Sequence, residues 1–245
     1  MQNDSPTSAQ PKLLKVIACE IAVRELCHIA ATSPSIVDFE FLTQGYHDTP
    51  AAGRVEIQKR IDAVPEGKFD AIVLGYGLCS SILTGLTTAH TPLIIPRAHD
   101  CITFFLGSKE RYQEFFDANP GTYYYTSGWL ECARRRNMGG GDNRNIFLPA
   151  HSQAGAKYLM EVMGEWTANY SHGTLIDFDF TKPLKLKEQV QQICADRKWT
   201  FSETEGHLGL LRRLLDGDWR ENEVLVVKPG QKVGPVFDGN IIGVE

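Results

Sequence analysis

Cys79, His99, Asp100 and Cys101 are the residues around which a chemical site can be built in this chain. They follow two short aliphatic runs, AIVLGYG (71–77) and PLIIP (92–96), within the stretch Phe69–Cys101. Runs of this kind read as buried parallel strands. In open α/β sheets ligands bind beyond the carboxyl ends of such strands, so the two loops are expected to converge. Cys79 is open to three roles: metal ligand, nucleophile or buried structural thiol. Gly75 and Gly77 let the backbone turn tightly or approach a ligand. They are predicted to place Cys79, Ser80 and Ser81 at a helix start, where free amides and the dipole lower a thiol pKa. GYGLCSS is neither a GxGxxG nor a Walker sequence, which leaves Gly75, Tyr76, Gly77 and Ser80 as candidates for binding a cofactor of undefined class. Arg97 is a candidate anion anchor. Asp100 reads either as a proton acceptor or as a helix N-cap.

Zinc takes nitrogen and sulfur ligands tetrahedrally and leaves one position open in catalytic sites. Cys79, His99 and Cys101 supply three such ligands, and Cys19, Cys132 or His47 a fourth; iron or nickel is an alternative metal. Glu20, beside Cys19 at a strand-to-helix switch, is a second candidate proton acceptor or orienting partner. A metal-free enzyme is the competing chemistry, with Cys79 as nucleophile, His99 as its base and Asp100 or Glu20 orienting the imidazole. A third reading is a non-catalytic module that binds a cofactor or an enzyme partner in the same crevice.

The elements that must carry these residues alternate along the chain. Strands are predicted at Leu13–Cys19, Ile36–Leu42, AIVLGYG, PLIIP, GTYYYTS (121–127), TLIDFDF (174–180), WTFSETE (199–205) and EVLVVKPG (223–230), with a short strand pair at the end. Helical spacing marks Ile21–Ala31, Arg54–Val64, a segment from Ile102 to Pro120 that breaks near Gly107, Ser152–Tyr170, Leu184–Arg197 and His207–Leu215. The fold class is therefore α/β, a doubly wound, mostly parallel, Rossmann-like sheet. We expect a flexible tail at 1–11 and a single domain at 12–245. Its two lobes, 12–132 and 146–230, flank a loop at 133–145 in which Arg134–Arg136 can clamp an anion or form a solvated face.

The chain has 245 residues, a formal net charge of −5 and six cysteines. This charge gives no electrostatic pull toward nucleic acid or an anionic membrane, so a small-molecule substrate or protein partner is expected. No apolar run reaches the ~18 residues that span a bilayer, and the polar first residues lack a secretory pattern. These features predict a cytoplasmic protein with reduced thiols.

The order ACE (18–20), a loop histidine, DAIVLGYGLC (70–79), LIIPRAHDCITFFLGSKERY (93–112), GTYYYTSGW (121–129), LLDGDW and VLVVKPG resembles the domain-of-unknown-function family sixteen-thirty-eight, from about Leu13 to Gly230. Members of that family look like companions of cobalamin-dependent methyltransferase systems. The resemblance thus implies methyl or one-carbon transfer, with a corrinoid protein or methyltransferase as partner. The His99-x-Cys101 pair with a distant cysteine is similar to the zinc ligands of methylcobamide:thiol methyltransferases, in which the metal holds a thiol substrate as thiolate.

Overall fold

The runs AIVLG and LIIP are buried at every position, so only a sheet covered on both faces can hold them. The computed structural model describes residues 11–79, 81–138, 169–236 and 239–245. Its strands are β1 (Leu13–Cys19), β2 (Ile36–Leu42), β3 (Ala71–Gly75), β4 (Leu93–Pro96), β5 (Thr122–Tyr125), β6 (His172–Asp177), β7 (Thr200–Glu205), β8 (Val224–Val227), β9 (Val233–Pro235) and β10 (Ile242–Val244).

The main sheet has the order β2-β1-β3-β4-β8. Its first four strands are parallel, and β8 runs antiparallel along β4, with Leu93 opposite Val227 and Pro96 opposite Val224. The chain leaves β1 for β2 on one side and returns to β3 on the other, so the topological switch point lies between β1 and β3. There Ala18 pairs with Gly75, and a Cβ on Gly75 would stand 2.5 Å from the Ala18 Cβ. Glycine is what lets the two strands close at the switch.

Helices α1 (Val23–Ala30), α2 (Pro50–Asp62), α3 (Cys101–Leu106), α4 (Lys109–Ala118), α5 (Ser127–Met138), α6 (Leu186–Arg197) and α7 (Gly209–Asp216) pack around the sheets. Leu26 and Ile29 of α1, Phe104 and Phe105 of α3 and Leu211 of α7 cover one face of the main sheet. Ile57 and Ile61 of α2 cover the other, with Ile82, Leu83 and Leu86. Burying each of these side chains is worth roughly 1.5–3 kcal/mol. That anchors α3 despite its six residues, and α3 carries Cys101 at its first position.

A second, parallel sheet has the order β5-β6-β7 and packs Leu175 and Tyr125 against Val190 and Cys194 of α6. Ile176 and Phe178 belong to the core of the main sheet, so the two layers share apolar packing. The architecture is a Rossmann-like α/β fold with a second sheet alongside.

Three local expectations are corrected. Helix α2 begins at Pro50, a turn before Arg54, because proline's fixed φ and missing amide suit a first turn. Residues 133–138, expected as loop, continue α5; Ala133 and the arginines after it are good helix formers. No helix starts at Cys79: Cys79 and Ser81 have φ of 35° and 67°, and the segment that follows is a series of turns. The predicted break at Gly107 is present, with φ 91° capping α3 before Ser108 caps α4. The expected tail at 1–10, loop at 139–145 and helix from Ser152 through residue 168 lie outside the described residues, and Tyr170, the expected end of that helix, is in no helix, while β9 and β10 form the terminal pair. Among the described residues no helix is long and apolar enough to cross a membrane.

Candidate functional site

The loops beyond β3 and β4 run side by side past the end of the sheet. The Leu78 and Cys79 amides donate to the Ala98 and His99 carbonyls at 2.8 and 2.9 Å, which prolongs the β3–β4 pairing into the loops. Gly77 makes this approach possible, since a Cβ there would meet the Asp100 backbone at 2.7 to 2.9 Å. Cys79 then turns through the left-handed region, where a residue with a side chain is strained by roughly 1–2 kcal/mol. Arg54 fixes the exit of the turn by donating to the Ser81 carbonyl at 2.8 Å.

This path brings three thiols to one place. Cys19 from the end of β1, Cys79 from the loop after β3 and Cys101 from the start of α3 line a small cavity of about 30 Å³ at the switch point. Burial pushes the Cys19 thiol up to about 12, and neighbouring Cys132, Cys79 and Glu20 add to the shift. Burial likewise pushes Cys79 up to about 12, with Asp100 reinforcing it and the nearby Gly77 and Cys101 backbone opposing it. Cys101 is raised well above the ordinary thiol range by burial and then by Cys79, Asp100 and Cys19. All three are neutral thiols at pH 7. The helix-start argument for a lowered Cys79 pKa is thereby corrected: there is no helix dipole, and the low dielectric dominates.

The same cavity has two buried polar side chains in its wall. Gln44 and Tyr76 are 2 % and 4 % exposed. Neither the Gln44 amide atoms nor the Tyr76 hydroxyl has a hydrogen-bond partner among the described residues. Buried polar groups left so are uncommon and mark a place where a further partner would be stabilised. Gln44 sits on the 3-10 turn Gln44–His47 after β2, which also brings His47 to the cavity mouth.

A second cavity of about 210 Å³ adjoins the first, and His47, Cys101 and Trp129 are in the walls of both. Asp100 faces it and is the N-cap of α3, as one of its two sequence readings required, accepting from the Ile102 amide at 2.9 Å. Its other oxygen accepts from the Tyr112 hydroxyl at 3.2 Å. Burial raises the Asp100 pKa, against the lowering effect of those donors. Trp129 follows from α5, whose first turn abuts the 3-10 turn Glu20–Ala22 so closely that a Cβ on Gly128 would overlap the Ile21 carbonyl.

The model for a protein of unknown function, DUF1638, matches residues 41–215, well over half of the chain. The chain belongs to the DUF1638 family. Among curated proteins and among solved structures nothing matches it. The DUF1638 span is shorter than the Leu13–Gly230 range read from the sequence, and it contains His47, Cys79, Cys101 and Trp129 but not Cys19.

Within the DUF1638 span, His99 departs from its expected place. It is exposed and lines a separate surface cavity with Lys109 and Glu110, because Asp100 caps α3, so that Cys101 already belongs to the helix and turns inward while His99 stays in the loop before it. The ligand set Cys79, His99 and Cys101 is therefore not assembled, and among the described residues no three histidines, cysteines or acids are grouped to hold a metal ion. Arg97 is also corrected as an anchor for this crevice. Its guanidinium donates to the Glu221, Asn240 and Ile242 carbonyls and ties the C-terminal hairpin to β4. Glu20, outside the span, accepts from the Thr43 hydroxyl and the Gln44 amide and pairs with Arg135 at 2.7 Å. It is an orienting brace for the Gln44 turn. Arg134 and Arg135 are exposed on α5; Ser80 and the Arg136 side chain lie outside the described residues. Cys132 is buried on α5, near enough to Cys19 to raise its pKa. Gln44, Tyr112 and Trp129 were missed as site residues; for Trp129 the signal was its place just beyond the aromatic strand TYYY.

Proposed function

We propose that this protein is an enzyme, or a component of one, in methyl or one-carbon transfer. It holds a small substrate across the two adjoining cavities and recruits a soft metal, zinc above all, by drawing together Cys19, Cys79 and Cys101, which line one cavity but are not grouped to hold an ion as they stand. The observation that carries this reading is that three thiols from the ends of three adjacent strands line one cavity. Thiolate is the donor that zinc, iron and nickel sites of this kind accept. Burial above all raises their pKa values and keeps the thiols protonated, so metal binding would release protons from them. His99 is not part of the set, and His47 stands at its mouth. Bound there, the metal would supply Lewis acidity and keep a sulfur atom in its nucleophilic form. The chain's own contribution is to orient: the pairing of the Leu78 and Cys79 amides with the Ala98 and His99 carbonyls fixes the Cys79 loop, and Glu20 braces the turn that presents Gln44.

The transfer partner, on this reading, is a corrinoid-bearing protein, in keeping with the family resemblance. Cysteines without a disulfide among the described residues suit the reducing cytoplasm, where we place it. A metal-free nucleophile is less well supported, since Cys79 is pushed up to about 12 and the His99 side chain faces another cavity.

Elemental analysis of untagged protein, purified anaerobically and reconstituted with zinc, iron or nickel, tests the proposal. About one metal per chain is expected, lost in folded Cys79→Ser and Cys101→Ser and kept in His99→Ala. Metal-free protein after reconstitution, or metal retained in both cysteine variants, would overturn it.

A further inference from the structure

The larger cavity has a composition that the thiol chamber does not explain. Tyr112, Phe116, Tyr123, Tyr124, Trp129 and Tyr170 contribute rings to its wall. Several stand at steep angles to one another. Tyr123 meets Trp129 at 67° with centroids 5.8 Å apart, and Tyr170 at 87° and 5.3 Å. Rings so disposed pack edge to face, and Tyr112 and Phe116 stack at 17° beside them, so the wall carries rings in more than one orientation. Against them stands one carboxylate, Asp100, its oxygens held by the Ile102 amide and the Tyr112 hydroxyl. Asp100 makes no ion pair among the described residues, and no lysine or arginine among them lines the cavity. Aromatic faces and an unneutralised carboxylate both carry negative potential toward the space they enclose.

From this juxtaposition we infer that the cavity binds a small, fully substituted ammonium ion, and that this is the substrate class of the site. The charge complementarity demands a cation. Full substitution is favoured because rings make up most of the wall: Asp100 already accepts from Ile102 and Tyr112, and the non-aromatic polar side chains beside it are His47, Asn119 and Thr122. An ammonium bearing several N–H groups would exchange its hydration for few such acceptors, whereas a quaternary centre has no N–H to satisfy. The volume of about 210 Å³ limits the ligand to one of roughly choline size. Cys101 and Trp129 are shared with the inner chamber, so alkyl groups of a cation held by the rings would abut the thiol-lined space. The cation's role as substrate rests on the function proposed above; its binding does not.

Isothermal titration with choline and with its uncharged carbon isostere 3,3-dimethyl-1-butanol separates charge recognition from simple apolar burial. Choline is expected to bind at least about tenfold tighter, a ratio within the range of a few desolvated cation–aromatic contacts. Asp100→Asn retains helix-capping ability and so keeps the fold; it should weaken choline by a similar factor and leave the isostere unchanged. Trp129→Leu should weaken choline more than Trp129→Phe, which keeps a ring. Equal affinity for the two probes, no choline binding at millimolar concentration, or Asp100→Asn binding choline like the parent would overturn the inference. Folded Cys79→Ser that has lost metal yet still binds choline upholds the cation site. Metal-replete protein that ignores choline sinks this inference alone.

Discussion

Glu25 is fully buried on α1, where Oε1 accepts from the Ser127 hydroxyl at 3.1 Å and Oε2 has no partner among the described residues. Burial pushes its pKa from 4.5 up to about 7, opposed by the Ser127 hydroxyl. Between those values the folded chain keeps a proton that the unfolded chain releases. Its contribution is therefore fully present below pH 4.5 and is lost as pH rises through about 7. The shift corresponds to about 3 kcal/mol, on the order of 1.4 kcal/mol for each pH unit in that window. Glu25→Gln keeps the shape and the acceptor for Ser127 but cannot ionise. Its buried amide lacks a partner, which costs roughly 1–3 kcal/mol at every pH. The pH dependence of the difference is free of that constant. Urea unfolding of both proteins across pH 4.5 to above 7 should show the variant gaining on the parent by about 3 kcal/mol as pH rises. Parallel pH profiles would refute the reasoning. The consequence reaches the site, because Ser127 begins the helix that carries Trp129 and packs beside the turn after Cys19.

Gly77→Ala places a Cβ against the Asp100 backbone, which cannot move aside as a flexible side chain would. A loss of about 1–3 kcal/mol in urea unfolding is expected, with faster alkylation of Cys79 as the paired loops separate; unchanged stability would show that the loops are not in register. Arg97→Met removes the donor to the Glu221, Asn240 and Ile242 carbonyls. It should expose the segment around β9 and β10 to limited proteolysis while leaving choline binding as in the parent; weakened choline binding would return Arg97 to the crevice.

The frame of the fold was legible because β3 and β4 are continuous apolar runs, β1 is interrupted by Lys15 alone, and Gly107 is a residue that readily takes the left-handed cap. The site was legible only to its neighbourhood. Spacing within PRAHDC says that His99 and Cys101 are two apart, and in an extended chain they would face the same side. Asp100, however, caps a helix, so Cys101 already belongs to α3 and turns inward while His99 stays outside. The conformation of Cys79 was equally hidden, for it depends on the Asp100 backbone lying against Gly77 from a distant part of the sequence. Residues 133–138 were misread because the glycines after them suggested a loop before the helix had ended.

The strongest argument that the thiol chamber is more than packing comes from Cys79 itself. A buried cysteine is a serviceable small apolar side chain, and Cys132 and Cys194 need no other explanation. Cys79 differs because its backbone sits at φ 35°, a conformation that glycine would hold without strain. Packing alone gives no reason for a side chain there. Gln44 and Tyr76 bury polar atoms without partners among the described residues around the same space. Strained backbone and unsatisfied polar groups each disfavour the chamber as plain core. A hydrated soft cation would offer partners to those polar groups, and holding the Cys79 sulfur in position for it would account for the strain.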